Sequence, residues 1–232
     1  LTELYPKKPI FDIPGYPSVL AGELVDNLME QIKQFQPGFT LGETASTLNK
    51  LEDGTFEVIT NKGTVHHAKA VAIAGGLGTF EPRKPLIDNV ADYEEKGVDY
   101  FVKNPEVYRD KNIVIAGGGD SALDWSIFLA NVAKSVTLIH RRNEFRGALD
   151  SVEKVQELKN QGKINLVTPA EVTGLKGNGH IEAITVEQDG NVYDLETDYF
   201  IPLFGLTPKL GAIANWGLNI EKNAIVVNNA LD

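Results

Sequence analysis

Cysteine is absent from this 232-residue sequence, and with it go disulfides, thiolate nucleophiles and Cys-ligated metal sites. No apolar run approaches the roughly 20 residues that span a bilayer. Nor does the N-terminus carry a basic segment leading into an apolar one. Neither a membrane span nor a secretory signal is expected, a reading that fits the cytoplasm. Positive charge is also short: 22 Lys and Arg face 32 Asp and Glu, for a net charge of −10. A chain this acidic repels phosphate backbones at long range, which argues against general nucleic-acid binding. Histidine is scarce, and His66 and His67 are neighbours. On a strand they point to opposite faces, and neither has a ligand partner at useful spacing, so no metal site is expected.

What the chain does have is the composition of a globular core, with 42% hydrophobic and 23% charged residues. Leu24, Leu28, Ile32 and Phe35 recur at helical spacing within residues 23–35, and Pro37-Gly38 ends the pattern. Strand-like stretches at 43–51 and 55–60 flank Glu52-Asp53-Gly54, and Asp-Gly between alternating segments signals a hairpin. A second turn, Asn61-Lys62-Gly63, leads to a strand over 64–67 and an apolar strand over 70–74. From residue 111 the grammar changes to strand (112–116), helix (121–133), strand (136–140), helix (150–160) and strand (164–167). That alternation belongs to a parallel sheet with crossover helices. Shorter strands are expected over 181–188, 191–195 and 199–204, then a turn-rich tail over 216–227.

Within this second half, Gly117-Gly118-Gly119-Asp120-Ser121-Ala122 matches G-x-G-x-x-A, a form of the dinucleotide fingerprint. Gly117 allows the tight turn out of the strand, and Gly119 lets a pyrophosphate approach the backbone. Ala122 lets the helix lie close on the sheet. Phosphate then meets unpaired N–H groups at the positive end of a helix, which Asp120 or Ser121 is expected to cap. A glycine triplet alone is weak and could be a plain turn; an apolar strand before it and a periodic helix after it supply the required context. About 20 residues beyond the glycines, an NAD site presents an acidic residue to the ribose 2′-hydroxyl. This chain presents His140-Arg141-Arg142, with Arg146 shortly after. A cationic cluster there suits a 2′-phosphate, so NADP(H) is the expected nucleotide. The other glycine run, Gly75-Gly76-Leu77-Gly78, is followed by Pro82, which forbids a regular helix there.

Five stretches, LTELYPKKPIFDIPGYP (1–17), GGLGTFEPRK (75–84), GGGDSALDW (117–125), HRRNEFR (140–146) and NWGLNIEKNAIVV (215–227), cover nearly the whole chain in order. Together they resemble the thioredoxin-reductase-like ferredoxin/flavodoxin–NADP⁺ reductases. The resemblance implies an α/β flavoprotein fold of two Rossmann-like dinucleotide-binding domains, the NADPH domain inserted into the FAD domain. Residues 1–103 would then be a partial FAD domain, 104–207 the inserted NADP(H) domain and 208–232 the return segment. Family members begin with an FAD-binding strand, glycine loop and helix, and end with a Gly-Asp motif. Neither is found here, so FAD is expected to be absent or incomplete on this chain. The resemblance further implies that Tyr5 stacks on the isoalloxazine ring, and that Ala45 and Phe80 contact FAD; core packing accounts for Phe80 equally well. It assigns Gly117, Gly119, Asp120, Ser121 and Ala122 to the pyrophosphate, and His140, Arg141, Arg142 and Arg146 to the 2′-phosphate. A homodimer and a ferredoxin or flavodoxin partner are also implied.

One absence separates close relatives. Thioredoxin reductases carry a Cys-x-x-Cys pair shortly before the NADP-binding strand, where this chain reads Tyr100-Phe101-Val102-Lys103. Without thiols there is no dithiol relay, which favours a one-electron protein acceptor. The chemistry would belong to the cofactors, so no catalytic acid or base is expected. Two alternatives remain open: a thioredoxin-reductase-like NAD(P)H oxidase component and a flavin-free NADP(H)-binding module. The basic pairs Lys7-Lys8 and Arg83-Lys84 are candidate docking points for an acidic partner, against the plainer reading of solvated charge.

Overall fold

A computed structural model describes residues 9–75, 79–222 and 224–228, without the side chains of Thr79, Phe80 and Pro208. It divides into two compact units, Leu1–Gln34 with Pro82–Gly205, and Phe35–Glu81 with Leu206–Asp232. The expected division near residue 103 falls inside the first of these.

The described residues begin with an antiparallel pair, β1 (Pro9–Ile10) and β2 (Val19–Leu20), which leads into helix α1 (Ala21–Lys33). The first turn of α1 is anchored by buried Val19, Ala21 and Leu24, whereas Leu28 and Ile32, further along the expected stripe, are exposed. Next comes an antiparallel meander of β3 (Ala45–Lys50), β4 (Phe56–Thr60) and β5 (Val65–Ala68). The β3–β4 turn forms where Asp-Gly predicts it. Asp53 Oδ1 accepts from Thr55 N at 2.9 Å and from Thr55 Oγ1 at 2.6 Å, and Gly54 takes the left-handed conformation at φ 83°. His66 and His67 are both exposed on β5.

The expected strand over 70–74 does not form: these residues join no ladder, and Ile73 is exposed. A strand exists through its neighbours, and apolar content alone does not supply one. β6 (Thr79–Pro82) then follows, so a strand and not a helix succeeds the first glycine run.

The alternation after residue 111 folds as predicted into β7 (Asn112–Ala116), α2 (Asp120–Leu129), β8 (Ser135–Ile139), α3 (Leu149–Asn160) and β9 (Ile164–Val167). Helix α2 stops before residue 133 because the chain turns there, bringing Lys134 N to Lys111 O at 2.9 Å and starting β8. An antiparallel sheet of β10 (Glu171–Gly177), β11 (Ile181–Gln188) and β12 (Asn191–Glu196) comes next. β10 is not evident in the sequence: its glycines break the alternation, and its register shifts between Val172 and Gly174 and between Lys176 and Gly177. β13 (Tyr199–Pro202) completes a four-stranded parallel sheet in the order β13-β7-β8-β9.

Period-two alternation sorts this parallel sheet into two cores. Ile113 and Ile115 of β7 pack with Leu123, Trp125 and Leu129 of α2 and Val155 and Leu158 of α3. Val114 and Ala116 face the other way, toward Phe200 and the buried side of the antiparallel sheet at Leu175, Ile184 and Val186. Helices therefore cover one face and the antiparallel sheet the other.

The second unit closes with β14 (Leu206–Lys209), paired to β6, and with the hairpin β15 (Ile220–Glu221) and β16 (Ala224–Ile225). A salt bridge joins Lys209 to Glu81 at 2.6 Å, and Trp216 Nε1 donates to Ser46 O at 3.2 Å. Among the described residues no helix is long and apolar enough to cross a membrane, and no group of three or more His, Asp or Glu could hold a metal ion.

Candidate functional site

In the parallel sheet, β7 has β13 on one side and β8 on the other, so the chain reverses direction across the sheet at the end of β7. Ligands of open α/β sheets bind at such a point, beyond the carboxyl ends of the strands. The residue found there is Gly117. A Cβ on it would meet Leu203 O at 2.6 Å and the Ala122 Cβ at 2.8 Å. Gly117 and Ala122 therefore let strand, helix and the end of β13 converge. Gly119 is different: space is open where its Cβ would stand. The first turn of α2 begins directly after it, with Gly119 as N-cap.

Neither Asp120 nor Ser121 caps α2, because no side-chain cap bond is formed. Asp120 is instead the first helical residue, and its Oδ1 accepts from Ala148 N at 2.8 Å. Ser121 is exposed on the same turn. Ala122 N and Leu123 N donate to Gly119 O at 3.0 and 3.2 Å, so it is the amides that open the turn that are left for an anion, as at any helix N-terminus.

The arginine-bearing segment lies directly against the glycine turn. Arg146 N donates to Gly118 O at 2.7 Å. The His140 ring packs so closely over Gly118 that any Cβ there would collide with it. His140 also stacks on Phe145, with ring centroids 5.1 Å apart and planes at 21°, and its Nε2 lies 3.2 Å from Glu144 O. Burial, helped by Arg141, Arg142 and Arg146, holds its pKa below the ordinary 6.5 against the opposing pull of the Glu144 carbonyl. The ring is thus a neutral wedge with one of its two nitrogens, Nε2, already engaged. By contrast, Arg141, Arg142 and Arg146 are exposed, and among the described residues none has a carboxylate partner.

Sequence reasoning missed Gly118, Phe145 and Ala148. Their importance comes from contacts made after the loop folds back, and the only sequence signal is the glycine standing between the two fingerprint glycines. Of the residues matched to FAD, Tyr5 lies outside the described residues, and Phe80 falls on β6 with its side chain undescribed. Ala45 is the first residue of β3, half-buried and paired across the ladder with Thr60.

The segment over 100–103 is packed: Val102 is buried, and the Tyr100 hydroxyl donates to Glu94 Oε1 at 2.8 Å. Lys84 pairs with the same carboxylate at 2.5 Å and lowers its pKa. Arg83 and Lys84 both remain exposed, Lys84 with its charge shared with Glu94; Lys7 and Lys8 lie outside the described residues.

A family model described as pyridine nucleotide-disulphide oxidoreductase matches residues 5–232. The chain is 73% identical over 232 residues to a ferredoxin–NADP reductase of Flavobacterium johnsoniae, and 48% identical over 229 residues to one of Mesorhizobium japonicum. These alignments cover 100% and 97% of the chain but 66% of each relative, so the chain spans just under two thirds of the curated relatives it matches. Thioredoxin reductase of Lactococcus lactis superposes with a TM-score of 0.82 at 23% identity, covering 95% of this chain and 71% of that one. The T. acidophilum thioredoxin reductase gives 0.82 at 20% identity, covering 99% and 73%. At these identities the likeness is one of fold.

Proposed function

Because the chain belongs to the pyridine nucleotide-disulphide oxidoreductase family, we propose that it serves an oxidoreductase moving electrons between NADPH and a one-electron protein carrier, ferredoxin or flavodoxin, through FAD. The observation that carries the nucleotide half of this reading is the arginine loop hydrogen-bonded onto a glycine turn at the switch point of the sheet. The names of the relatives, from 46% to 73% identical, support the acceptor half.

The residues present fit NADP(H). Open space at Gly119 admits a diphosphate to the backbone, and the first amides of α2 face it with the positive end of the helix dipole. Arg141, Arg142 and Arg146 offer guanidinium groups, without a carboxylate partner among the described residues, to a 2′-phosphate, which they grip in charge-assisted bonds. Bound there, the nicotinamide would supply a hydride. The chain itself contributes position and charge, and no proton transfer by a side chain is needed.

Residues 104–207 are the proposed NADP(H) domain, with 1–103 and 208–232 contributing to an FAD domain in which Tyr5, Ala45 and Phe80 face the flavin. This 232-residue polypeptide alone is expected to carry little FAD. Working as a homodimer in the cytoplasm belongs to the same proposal, supported by the family resemblance. The lack of thiols in this chain supports direct transfer to a one-electron acceptor over a dithiol relay. NADPH oxidation by protein with FAD bound, measured with ferredoxin, flavodoxin and oxidised thioredoxin as alternative acceptors, tests this. Turnover with the first two is expected, and turnover with thioredoxin alone would overturn it.

A further inference from the structure

We infer that Asp120 is a positioning residue that sets the preference for NADPH over NADH, by tying the arginine loop to the glycine turn and without touching the nucleotide. The inference rests on the NADP(H) reading above. Three observations carry it. Asp120 Oδ1 accepts from Ala148 N, the residue that opens α3 directly after the arginine segment. Two residues earlier, Arg146 N donates to Gly118 O. Between them, Gly147 lies tight against the same turn, since a Cβ there would meet Leu123 Cδ1 at 2.5 Å and Asp120 Oδ1 at 3.1 Å. The C-terminal end of the loop is thus closed onto the first turn of α2 at adjacent points, and Arg146 starts from a fixed backbone.

Ordering of the arginines before the ligand arrives lowers the entropy lost on binding, which is how preorganisation raises affinity. The carboxylate has an opposite direct effect. It adds negative charge to the end of α2 that would receive a diphosphate, and so disfavours any nicotinamide dinucleotide through Coulomb repulsion. Three roles for Asp120 therefore give three different outcomes when the carboxylate is removed. A positioning role weakens NADPH alone, a purely electrostatic role tightens both nucleotides, and direct contact weakens both.

The experiment is titration calorimetry of the whole chain with NADPH and with NADH, alongside thermal unfolding, for wild type, D120A, D120N and Ala148→Pro. Ala148 sits at φ −55° and ψ 140°, which proline accommodates, so that variant removes the N–H donor from the other side of the bond. The expected result is about a tenfold loss for NADPH in D120A, the scale of one hydrogen bond to a charged group, with NADH unchanged or tighter. D120N, whose amide oxygen still accepts but carries no repelling charge, should bind both nucleotides at least as tightly as wild type. Ala148→Pro should reproduce the D120A loss, and the double variant should lose no more than either single one. Equal losses for both nucleotides, with or without a lower unfolding midpoint, would overturn the inference, as would an additive double variant or an unchanged NADPH affinity in D120A. A wild-type chain without preference for NADPH would instead overturn the nucleotide reading itself.

Discussion

The two compact units bury very different things. In the first, β7 alone places four residues at 3% exposure or less, and Leu123, Leu129, Leu138, Val155, Phe200 and Ile201 reach 0%. In the second, Thr60 is the sole buried residue among those described, and it is polar. Its hydroxyl donates to Glu43 Oε2, just before β3, and accepts from Thr64 N in the β4–β5 turn, so its burial is satisfied by bonds local to the meander. A parallel sheet covered on both faces builds a core from its own residues. A meander of three short strands exposed on one face relies on turns and ladder bonds, and contributes far less apolar burial. The candidate nucleotide site is accordingly built on the rigid unit, where loop positions can be held to the accuracy that phosphate recognition requires.

The largest expected effect contrasts the two units directly. Leu138→Ala, at a fully buried position, should cost about 2–5 kcal/mol. Ile59→Ala, half-buried on β4, should cost about 1 kcal/mol. The chain has two tryptophans, and they fall in different units: Trp125 on α2 and Trp216 beside β3. Urea unfolding followed in Trp125→Phe and Trp216→Phe variants separates their signals. The Trp216 signal should be lost at lower urea, and coincident midpoints would contradict the contrast.

Next in size is Gly118→Ala. The added methyl collides with the His140 ring and pushes the arginine segment off the glycine turn. Overpacking of this kind costs about 1–3 kcal/mol of folding stability, and with the arginines displaced, NADPH affinity measured by calorimetry should fall about tenfold. Retained affinity would mean that the loop tolerates displacement.

The smallest effect is a pH dependence. His140 has a folded pKa below 6.5, so on acidification the unfolded chain takes up the proton first. Stability from this residue is intact above about the ordinary histidine pKa and is lost as the pH falls below it. Thermal midpoints of the nucleotide-free chain should drop slightly between pH 7 and 5, and His140→Phe, which keeps the stacking on Phe145, should flatten that slope. An identical slope in the variant would place the titration elsewhere.

Much of the first unit was legible because its signals are local. The apolar runs at 112–116 and 164–167 needed only their own residues to read as strands, and the glycine turn announced the helix behind it. What escaped was set by distant partners. The run over 70–74 is as apolar as a strand, yet no described neighbour pairs with it. β10 hides behind Gly174 and Gly177, whose register shifts are visible only once β11 lies alongside. Asp120 reads as a cap by position, but its acceptor is spent on an amide 28 residues away, a pairing that no sequence window contains.

The proposed preference for NADPH rests on the arginines at the end of β8 recognising the phosphate that distinguishes the two nicotinamide nucleotides. Calorimetry of the wild-type chain and the R141A/R142A variant with NADPH and NADH, at several salt concentrations, tests it most directly. Hydrogen bonds to charged groups contribute about 1.5–3 kcal/mol each, so NADPH binding should weaken at least about tenfold while NADH binding scarcely changes. The NADPH difference should shrink as salt screens the contact. Equal losses for both nucleotides would contradict the account, because these arginines would then support the fold or the adenine and not the 2′-phosphate.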